Sequence, residues 1–217
     1  MTISEKVCKQ TRPIRVLQFG EGNFLRGFVD YMIDIANEKG LFNGGIVLVK
    51  PIPFGSLEQF PKQNYNYTVS LRGRVDGQPT VIERIVTSVE DAVDAYGEYD
   101  RYMAYAKLDT LRFVVSNTTE AGIVYDPACQ QNDCPPSSFP AKLTQVLYHR
   151  YKAGKKGIIM LACELIDNNG KELLKCVNQY IDQWGLDDGF RKYVNEDCTF
   201  CGSLVDRIVP GRIRDPK

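Results

Sequence analysis

Residues 14–26 run Ile-Arg-Val-Leu-Gln-Phe-Gly-Glu-Gly-Asn-Phe-Leu-Arg, and this stretch indicates the fold class. Its apolar first half, Ile14 to Phe19, predicts a buried strand that ends at Gly20. After the glycines, apolar residues from Leu25 to Ala36 recur at the spacing of an amphipathic helix. A second buried strand, Ile46-Val-Leu-Val49, follows. Strand, helix and strand in this order predict a parallel βαβ unit with a right-handed crossover.

The alternation of strands and helices continues along the chain and predicts a doubly wound α/β sheet. Two alternating runs on either side of Val75-Asp-Gly77 predict an antiparallel β-hairpin inserted into this scheme. The last predicted element is a long amphipathic helix. The predicted hairpin strands are 67–72 and 80–86, the further buried strands are 111–115 and 158–163, and the helices are 98–107, 139–152 and 168–184.

The composition is that of an ordinary globular protein, and its charges balance at 27 Lys and Arg against 27 Asp and Glu. This balance argues against nucleic acid or an anionic membrane as a partner, since both attract a basic surface. No stretch approaches the roughly 18 apolar residues of a membrane span, and the first ten residues lack the apolar core of a signal peptide. We therefore expect a cytoplasmic chain. The seven cysteines, including the Cys198/Cys201 pair, are interpreted as reduced thiols, and no metal site is predicted.

The glycine turn Gly20-x-Gly22 follows a strand and opens a helix, which is the context of a dinucleotide-binding fingerprint. There the first glycine permits a tight turn, and the second lets the backbone approach the pyrophosphate. The helix N-terminus then attracts the anion. The third glycine of the fingerprint is replaced by Leu25, and the next glycine is Gly27. An ordinary β-to-α turn that binds no ligand is the alternative.

The end of the second strand lacks the acid that would hydrogen-bond the adenosine ribose of NAD. No Asp or Glu occurs between Gly44 and Leu57, and Lys50 ends the strand. Lys50 would either meet the 2′-phosphate of NADP or be solvated beside Pro51. The residues alone leave both alternatives open and favour NADP slightly.

Two polar clusters follow later strands, Ser116-Asn-Thr-Thr-Glu120 and Glu164-Leu-Ile-Asp-Asn-Asn-Gly170. The carboxyl ends of parallel strands are where open α/β sheets bind ligands, so both clusters are candidates for ligand contact. The alternative is that their Ser, Asn and Asp residues form only turns and helix caps.

Five segments in a fixed order span nearly the whole chain: Gly20-Glu-Gly-Asn-Phe-Leu-Arg26, Ser116-Asn-Thr-Thr-Glu-Ala-Gly122, Phe139-Pro-Ala-Lys-Leu-Thr144, Cys163-Glu-Leu-Ile-Asp-Asn-Asn-Gly170 and Val205-Asp-Arg-Ile-Val-Pro210. This set resembles the long-chain polyol dehydrogenase family, which includes mannitol dehydrogenases and reductases of keto sugar acids. Lys50-Pro-Ile52 and Glu164-Leu-Ile-Asp167 are most similar to the branch that reduces tagaturonate to altronate.

The resemblance implies that residues 1–217 are an N-terminal Rossmann domain. A largely helical C-terminal domain, the partner of this one, would carry the catalytic lysine with its Asn and His. The chain is expected to end at this domain boundary and to be catalytically silent by itself. The resemblance also favours NAD over NADP, because Lys50 fits the pattern of the branch.

The resemblance assigns the site residues as well. Asn169 would help to polarise the substrate oxygen of a keto sugar acid, Asp206 would lie near the cleft, and Glu120 near the path of the proton. The residues expected to bind the cofactor are Gly20, Gly22, Asn23, Phe24, Arg26, Lys50, Ser116 and Thr118.

Three alternatives to this reading remain. The chain is a stand-alone dinucleotide-binding module without turnover, or it is the same domain of a mannitol or fructuronate type of polyol dehydrogenase. In the third alternative, the chain is an unrelated α/β protein whose glycine turn binds nothing. That alternative does not explain the ordered motifs.

Overall fold

The computed structural model describes residues 7–118, 122–205 and 207–212, and its main feature is a parallel sheet of six strands. The strand order is β5-β2-β1-β6-β7-β8. From β1 the chain adds β2 and β5 on one side and then β6, β7 and β8 on the other, which confirms the predicted doubly wound sheet. The strands are β1 Ile14–Phe19, β2 Gly45–Lys50, β3 Tyr67–Val75, β4 Gln78–Val86, β5 Val89–Asp94, β6 Phe113–Ser116, β7 Ile159–Ala162 and β8 Thr199–Cys201.

The helices cover both faces of this sheet. The first helix, α1, consists of a turn Asn23–Leu25, a π-helical turn Arg26–Asp30 and an α-helical part Tyr31–Glu38. The others are α2 Gln59–Lys62, α3 Tyr99–Ala106, α4 Phe139–Lys152, α5 Asn169–Gln183 and α6 Asp188–Lys192, which continues as the π-helical turn Tyr193–Asp197.

The core forms on the two faces of the sheet because successive side chains of β1 point in opposite directions. Leu17 and Phe19 pack into the larger apolar cluster with α3, α4, α5 and α6. Val16 packs into the smaller cluster with apolar residues of α1. All six residues of β2 are buried, as its uninterrupted apolar sequence predicts for a central strand.

The inserted hairpin is confirmed, and its two strands are longer than predicted. β3 and β4 pair antiparallel from Tyr67 opposite Val86 to Val75 opposite Gln78. Asp76 and Gly77 form the turn with φ of +50° and +78°. Two central residues with positive φ are typical of a type I′ turn, which matches the twist of the strands that it joins.

Two strands of the sheet, β5 and β8, are absent from the sequence prediction. β5 has the sequence Val-Glu-Asp-Ala-Val-Asp, and acidic residues are depleted in strands. It forms because it pairs with buried β2 at the edge of the sheet, and Arg101 forms an ion pair with Asp91. β8 has only three residues and follows α6, so the prediction that α5 is the last element is wrong.

Candidate functional site

The glycine turn after β1 has the two properties that the fingerprint requires. Gly20 has φ of +115°, and a Cβ there would lie 3.1 Å from the carbonyl oxygen of Asn117. A residue with a side chain would therefore be strained at this position. A Cβ on Gly22 would meet no atom within 4 Å. The space above Gly22 is thus open to a ligand, while the turn itself is tightly held against the loop after β6.

The residues after the glycines differ in what they offer a ligand. Asn23 is exposed, whereas Phe24 packs against Phe28 with ring centres 5.7 Å apart. Leu25, at the position of the missing third glycine, is buried beside Gly20. Gly27 permits close packing, because a Cβ there would lie 3.3 Å from Val209.

Arg26 is held by two aromatic rings. Its guanidinium lies 5.5 Å from the ring centre of Phe60 and 5.3 Å from that of Tyr67, and it donates a hydrogen bond to Asn23 Oδ1. Cation–π contacts of this kind fix the orientation of a guanidinium. The cation therefore lies near the glycine turn, where a pyrophosphate would need one, and its contact with a cofactor stays a prediction.

Asp30 is a fully buried acid on the π-helical turn of α1. Burial raises its pKa to about 7, although hydrogen bonds from Tyr67 and Gln18 act in the opposite direction. The Tyr67 hydroxyl donates to Asp30 Oδ2 at 2.7 Å, whereas Oδ1 has no hydrogen-bond partner in the described part of the chain. The pair ties the hairpin to the helix that begins at the glycine turn.

Lys50 is buried and paired with an acid, whereas the sequence left it either at the 2′-phosphate of NADP or solvated beside Pro51. Its contact with a cofactor stays a prediction. Lys50 is 3% exposed, its Nζ lies 3.0 Å from Asp94 Oδ2, and it donates to the carbonyl oxygen of Ile52 at 3.0 Å. Burial alone would raise the pKa of Asp94, but Lys50 and the backbone N–H groups of Tyr96 and Gly97 outweigh it and lower that pKa. The expectation of a solvated Lys50 is wrong, because Asp94 at the end of the neighbouring strand neutralises its charge.

The two polar clusters at the ends of β6 and β7 come together, with Glu164 at their centre. Glu164 is 1% exposed and accepts hydrogen bonds from Ser116 Oγ at 3.1 Å, Thr118 N at 3.1 Å and Thr118 Oγ1 at 3.0 Å. Asn117 Nδ2 donates to the carbonyl oxygen of Cys163 at 2.6 Å. The hydroxyls of Ser116 and Thr118 thus hold two strand ends together, and their contact with a cofactor stays a prediction.

Asn169 ties a third segment to these strand ends. Its Nδ2 donates to the carbonyl oxygens of Ala162 and Glu164, both at 3.0 Å, and of Ser203 at 3.1 Å. Its Oδ1 accepts from the N–H groups of Gly170 and Ser203. Asn169 is fully buried, so its amide supports the chain around the site. Neighbouring Asn168 makes no side-chain cap to α5.

Two predicted catalytic residues, Glu120 and Asp206, lie outside the described residues. Thr118 and Gly122, the nearest described neighbours of Glu120, both line a cavity. The roles of Glu120 and Asp206 therefore stay predictions.

This cavity of about 490 Å³ opens between the ends of β2 and β6 and the start of α4. Pro51 and Ile52 form one wall, and Val124 and Phe139 contribute apolar surface on the others. Lys142 of α4 also lines the cavity, and its burial lowers its pKa to about 8. A mostly apolar cavity with a few polar groups is typical of a small-molecule site.

Sequence reasoning missed the site roles of Asp94 and Lys142. Asp94 lies on β5, a strand that was not predicted, and Lys142 was noted only as part of a family motif. A polar residue on the buried face of α4 was a usable signal, because lysines rarely occupy such positions.

The described ranges contain neither a cluster of metal ligands nor a helix suited to cross a membrane. They contain no group of three or more His, Cys, Asp or Glu residues placed to hold a metal ion. No helix in these ranges has both the length and the apolar character needed to cross a membrane.

Known proteins resemble this chain over most of its length. Residues 14–216 match the mannitol dehydrogenase Rossmann domain. An altronate oxidoreductase of Phocaeicola vulgatus is 46% identical over 211 residues, which are 95% of this chain and 44% of that protein. The altronate oxidoreductase of Bacillus subtilis is 44% identical over 203 residues, 92% of this chain and 42% of that protein. The chain spans less than half the length of these curated relatives.

A solved structure shares the fold. Mannitol 2-dehydrogenase of Pseudomonas fluorescens, in a ternary complex with NAD and D-mannitol, aligns with a TM-score of 0.81 at 18% identity. The alignment covers 94% of this chain and 44% of that chain. The resemblance seen in the sequence motifs is thus confirmed, and so is the Rossmann-type sheet.

Proposed function

The chain belongs to the mannitol dehydrogenase family, and from this membership we propose that it is the NAD-binding domain of an enzyme that reduces tagaturonate to altronate. The relatives named above are altronate oxidoreductases, which supports a keto sugar acid as the substrate. Since the chain covers less than half of those relatives, a helical second domain would complete the active site. The observation that carries the proposal is the open space above Gly22 in a strand–glycine–helix turn.

The glycine turn fits a dinucleotide. The pyrophosphate of such a ligand must approach the backbone closely, and a glycine without neighbours above it permits this approach. The first N–H groups of α1 have no partners within the helix and so attract an anion. Arg26 and exposed Asn23 lie beside the turn and are the side chains proposed to contact the phosphates.

NAD is proposed rather than NADP because of the contacts of Lys50. Its ammonium group is buried and paired with Asp94, so it does not present a free charge to a 2′-phosphate. The mannitol 2-dehydrogenase with the same fold is a complex with NAD. Both observations support the choice of cofactor made from the family pattern.

Once bound, the nicotinamide cofactor supplies the hydride chemistry. The residues of this chain would position it. Glu164 holds the ends of β6 and β7 together, and Asn169 fixes the start of α5 against the segment after β8. A rigid strand edge of this kind keeps a bound cofactor oriented toward the substrate. Asn169 is proposed to act at the substrate oxygen through the segments that its buried amide holds in place, Glu120 near the proton path and Asp206 near the cleft.

The first prediction concerns Gly22. We expect Gly22→Val to weaken NADH binding by the 217-residue chain at least about a hundredfold, because the side chain occupies the space that a pyrophosphate needs. The fold should persist, since the Cβ meets no protein atom. Titration calorimetry with NADH measures the effect, and circular dichroism checks the fold.

The matched control is Gly73→Val on the exposed hairpin, where a Cβ also meets no atom within 4 Å. It should bind NADH like the unchanged chain. Equal NADH affinity of the Gly22→Val chain and the unchanged chain would show that the turn does not hold the cofactor.

A further inference from the structure

Lys142 is a buried lysine in the wall of the cavity, and nothing in the proposed function uses it. The residue is 1% exposed and lies near the start of α4, after the N-cap Ser138. An ammonium group loses its hydration on burial, and proteins rarely bury it without acceptors. The groups around Nζ therefore indicate what this lysine is placed to bind.

Protein groups occupy only part of the donor capacity of Lys142. Its Nζ donates to the carbonyl oxygen of Ser137 at 2.7 Å and to the Tyr96 hydroxyl at a weaker 3.4 Å. It also lies 5.1 Å from the centre of the Tyr96 ring. A lysine has three N–H donors, so one of them is left without an acceptor among residues 7–118, 122–205 and 207–212.

The carboxylate in the same cavity wall is engaged elsewhere. Asp126 accepts hydrogen bonds from the Ser137 hydroxyl at 3.0 Å and from the N–H of Ala128 at 2.9 Å. No salt bridge joins Lys142 to an acid in the described ranges, whereas the other buried lysine, Lys50, is paired with Asp94. Of these two buried cations, Lys142 is the one that faces a cavity.

The position of the cavity indicates its ligand. It lies at the ends of β2 and β6, the two neighbours of β1 in the sheet. In a doubly wound sheet the dinucleotide crosses this edge, with its adenosine on the side of the second strand. The apolar wall of Ile52, Val124 and Phe139 suits a purine ring, and the volume of about 490 Å³ suits a ligand of this size.

We propose that Lys142 binds the adenosine half of the dinucleotide, with Nζ donating a hydrogen bond to an acceptor on that half. This hydrogen bond strengthens the binding of the dinucleotide to the chain. This inference rests on the proposed function, since it takes the dinucleotide to lie across the strand ends. Of the two buried lysines, Lys142 is the one proposed for this contact, because Lys50 is already paired with Asp94.

The test compares three ligands. NADH carries both halves, ADP-ribose carries the adenosine half, and nicotinamide mononucleotide carries the other half. Lys142→Met keeps the length of the apolar stem and removes the donor. We expect it to weaken NADH and ADP-ribose about tenfold, the effect of losing one hydrogen bond from a charged donor. Its affinity for nicotinamide mononucleotide should equal that of the unchanged chain.

Two further variants complete the experiment. Lys152→Met changes an exposed lysine on the same helix and should leave all three affinities unchanged. Val124→Trp fills the cavity from a residue that is 51% exposed, and should weaken ADP-ribose at least about tenfold. If Lys142→Met does not fold by circular dichroism, Lys142→Leu, which also lacks a donor, replaces it with the same expectation.

The outcomes separate this inference from the proposed function. Unchanged ADP-ribose affinity in the folded Lys142 variant, or in Val124→Trp, overturns the inference while the glycine turn still binds NADH. An equal loss for nicotinamide mononucleotide overturns it too, since the effect would then not be confined to the adenosine half. If the unchanged chain binds neither NADH nor ADP-ribose, the proposed function itself is wrong.

Discussion

The two sides of the strand-end edge differ in how they use their polar groups. On the side of β1 and β2, the glycine turn leaves open space above Gly22. The cavity at the ends of β2 and β6 contains Lys142, which has a donor without an acceptor among the described residues. We term the turn and this cavity together the open side. On the side of β6 and β7, Glu164 accepts three hydrogen bonds and Asn169 uses both ends of its amide within the protein. We term this the closed side.

The open side is suited to bind a ligand, whereas the polar groups of the closed side support the structure around it. A ligand can bind to backbone groups and hydrogen-bond donors that have no partner among the described residues, and the open side offers such groups. The closed side is buried, and the side chains of Ser116, Glu164 and Asn169 there have protein partners, as burial requires. Polar residues at a strand end also make hydrogen bonds within the protein, as Ser116 and Thr118 do, and the contact of these two residues with a cofactor stays a prediction.

The largest effect on stability is expected on the closed side. Glu164→Ala leaves the hydroxyls of Ser116 and Thr118 and the N–H of Thr118 without their buried acceptor. We expect the free energy of unfolding to fall by about 3 kcal/mol. Urea titration measures it, and Glu83→Ala on the exposed hairpin serves as the control. A loss no larger than that of the control would contradict the division into two sides.

A smaller loss of stability is expected when the ion pair between Lys50 and Asp94 is broken. Asp94→Asn removes the anion beside buried Lys50, and an unpaired buried charge is costly. Because Asp94 is partly exposed, we expect a loss of about 2 kcal/mol, below the upper range for buried pairs. The double variant Lys50→Met with Asp94→Asn should recover part of this loss. Strictly additive losses in the double-mutant cycle would count against a coupled pair.

The effect that is smallest within any one pH unit concerns the helix that starts at the glycine turn. The pKa of Asp30 is raised to about 7 in the folded chain from the ordinary 3.8, so the folded state binds the proton more tightly than the unfolded state. Stability should therefore fall as the pH rises from about 4 to about 7, by at most about 1.4 kcal/mol per pH unit, and stay level above that range.

Asp30→Asn should remove this slope, since an amide does not titrate. Urea unfolding at several pH values between about 5 and 7 measures it. Asp76→Asn, at the exposed turn of the hairpin, is the matched control and should keep the slope. If the slope survives in Asp30→Asn, another group titrates in this range.

Most of the fold could be predicted from local patterns. β1, β2, the hairpin and α4 were predicted close to their observed bounds, because alternation and helical spacing report directly on burial. β5 could not be predicted in this way. Its acidic residues contradict strand propensity, and only pairing with β2 and the partner Arg101 make the strand favourable.

The candidate site was predictable in part. The glycine turn followed from chain geometry, since a residue at φ of +115° must be glycine whatever surrounds it. The meeting of the two polar clusters followed from the rule that parallel strands end at one edge. Which hydroxyl bonds to which acceptor did not follow, because Glu164 reaches across from a different strand.

Local sequence was thus sufficient for β1, β2, the hairpin and α4, for the doubly wound sheet and for the glycine turn. These depend on chirality, periodicity and backbone freedom, which neighbouring residues carry. The partners of the buried charges were settled by long-range packing. Lys50 is neutralised by Asp94 of β5, while Lys142 faces a cavity and has one donor without an acceptor among the described residues. The cost of burying an ammonium group depends on groups that are close in space and distant in sequence, so a lysine's role cannot be inferred from its neighbours along the chain.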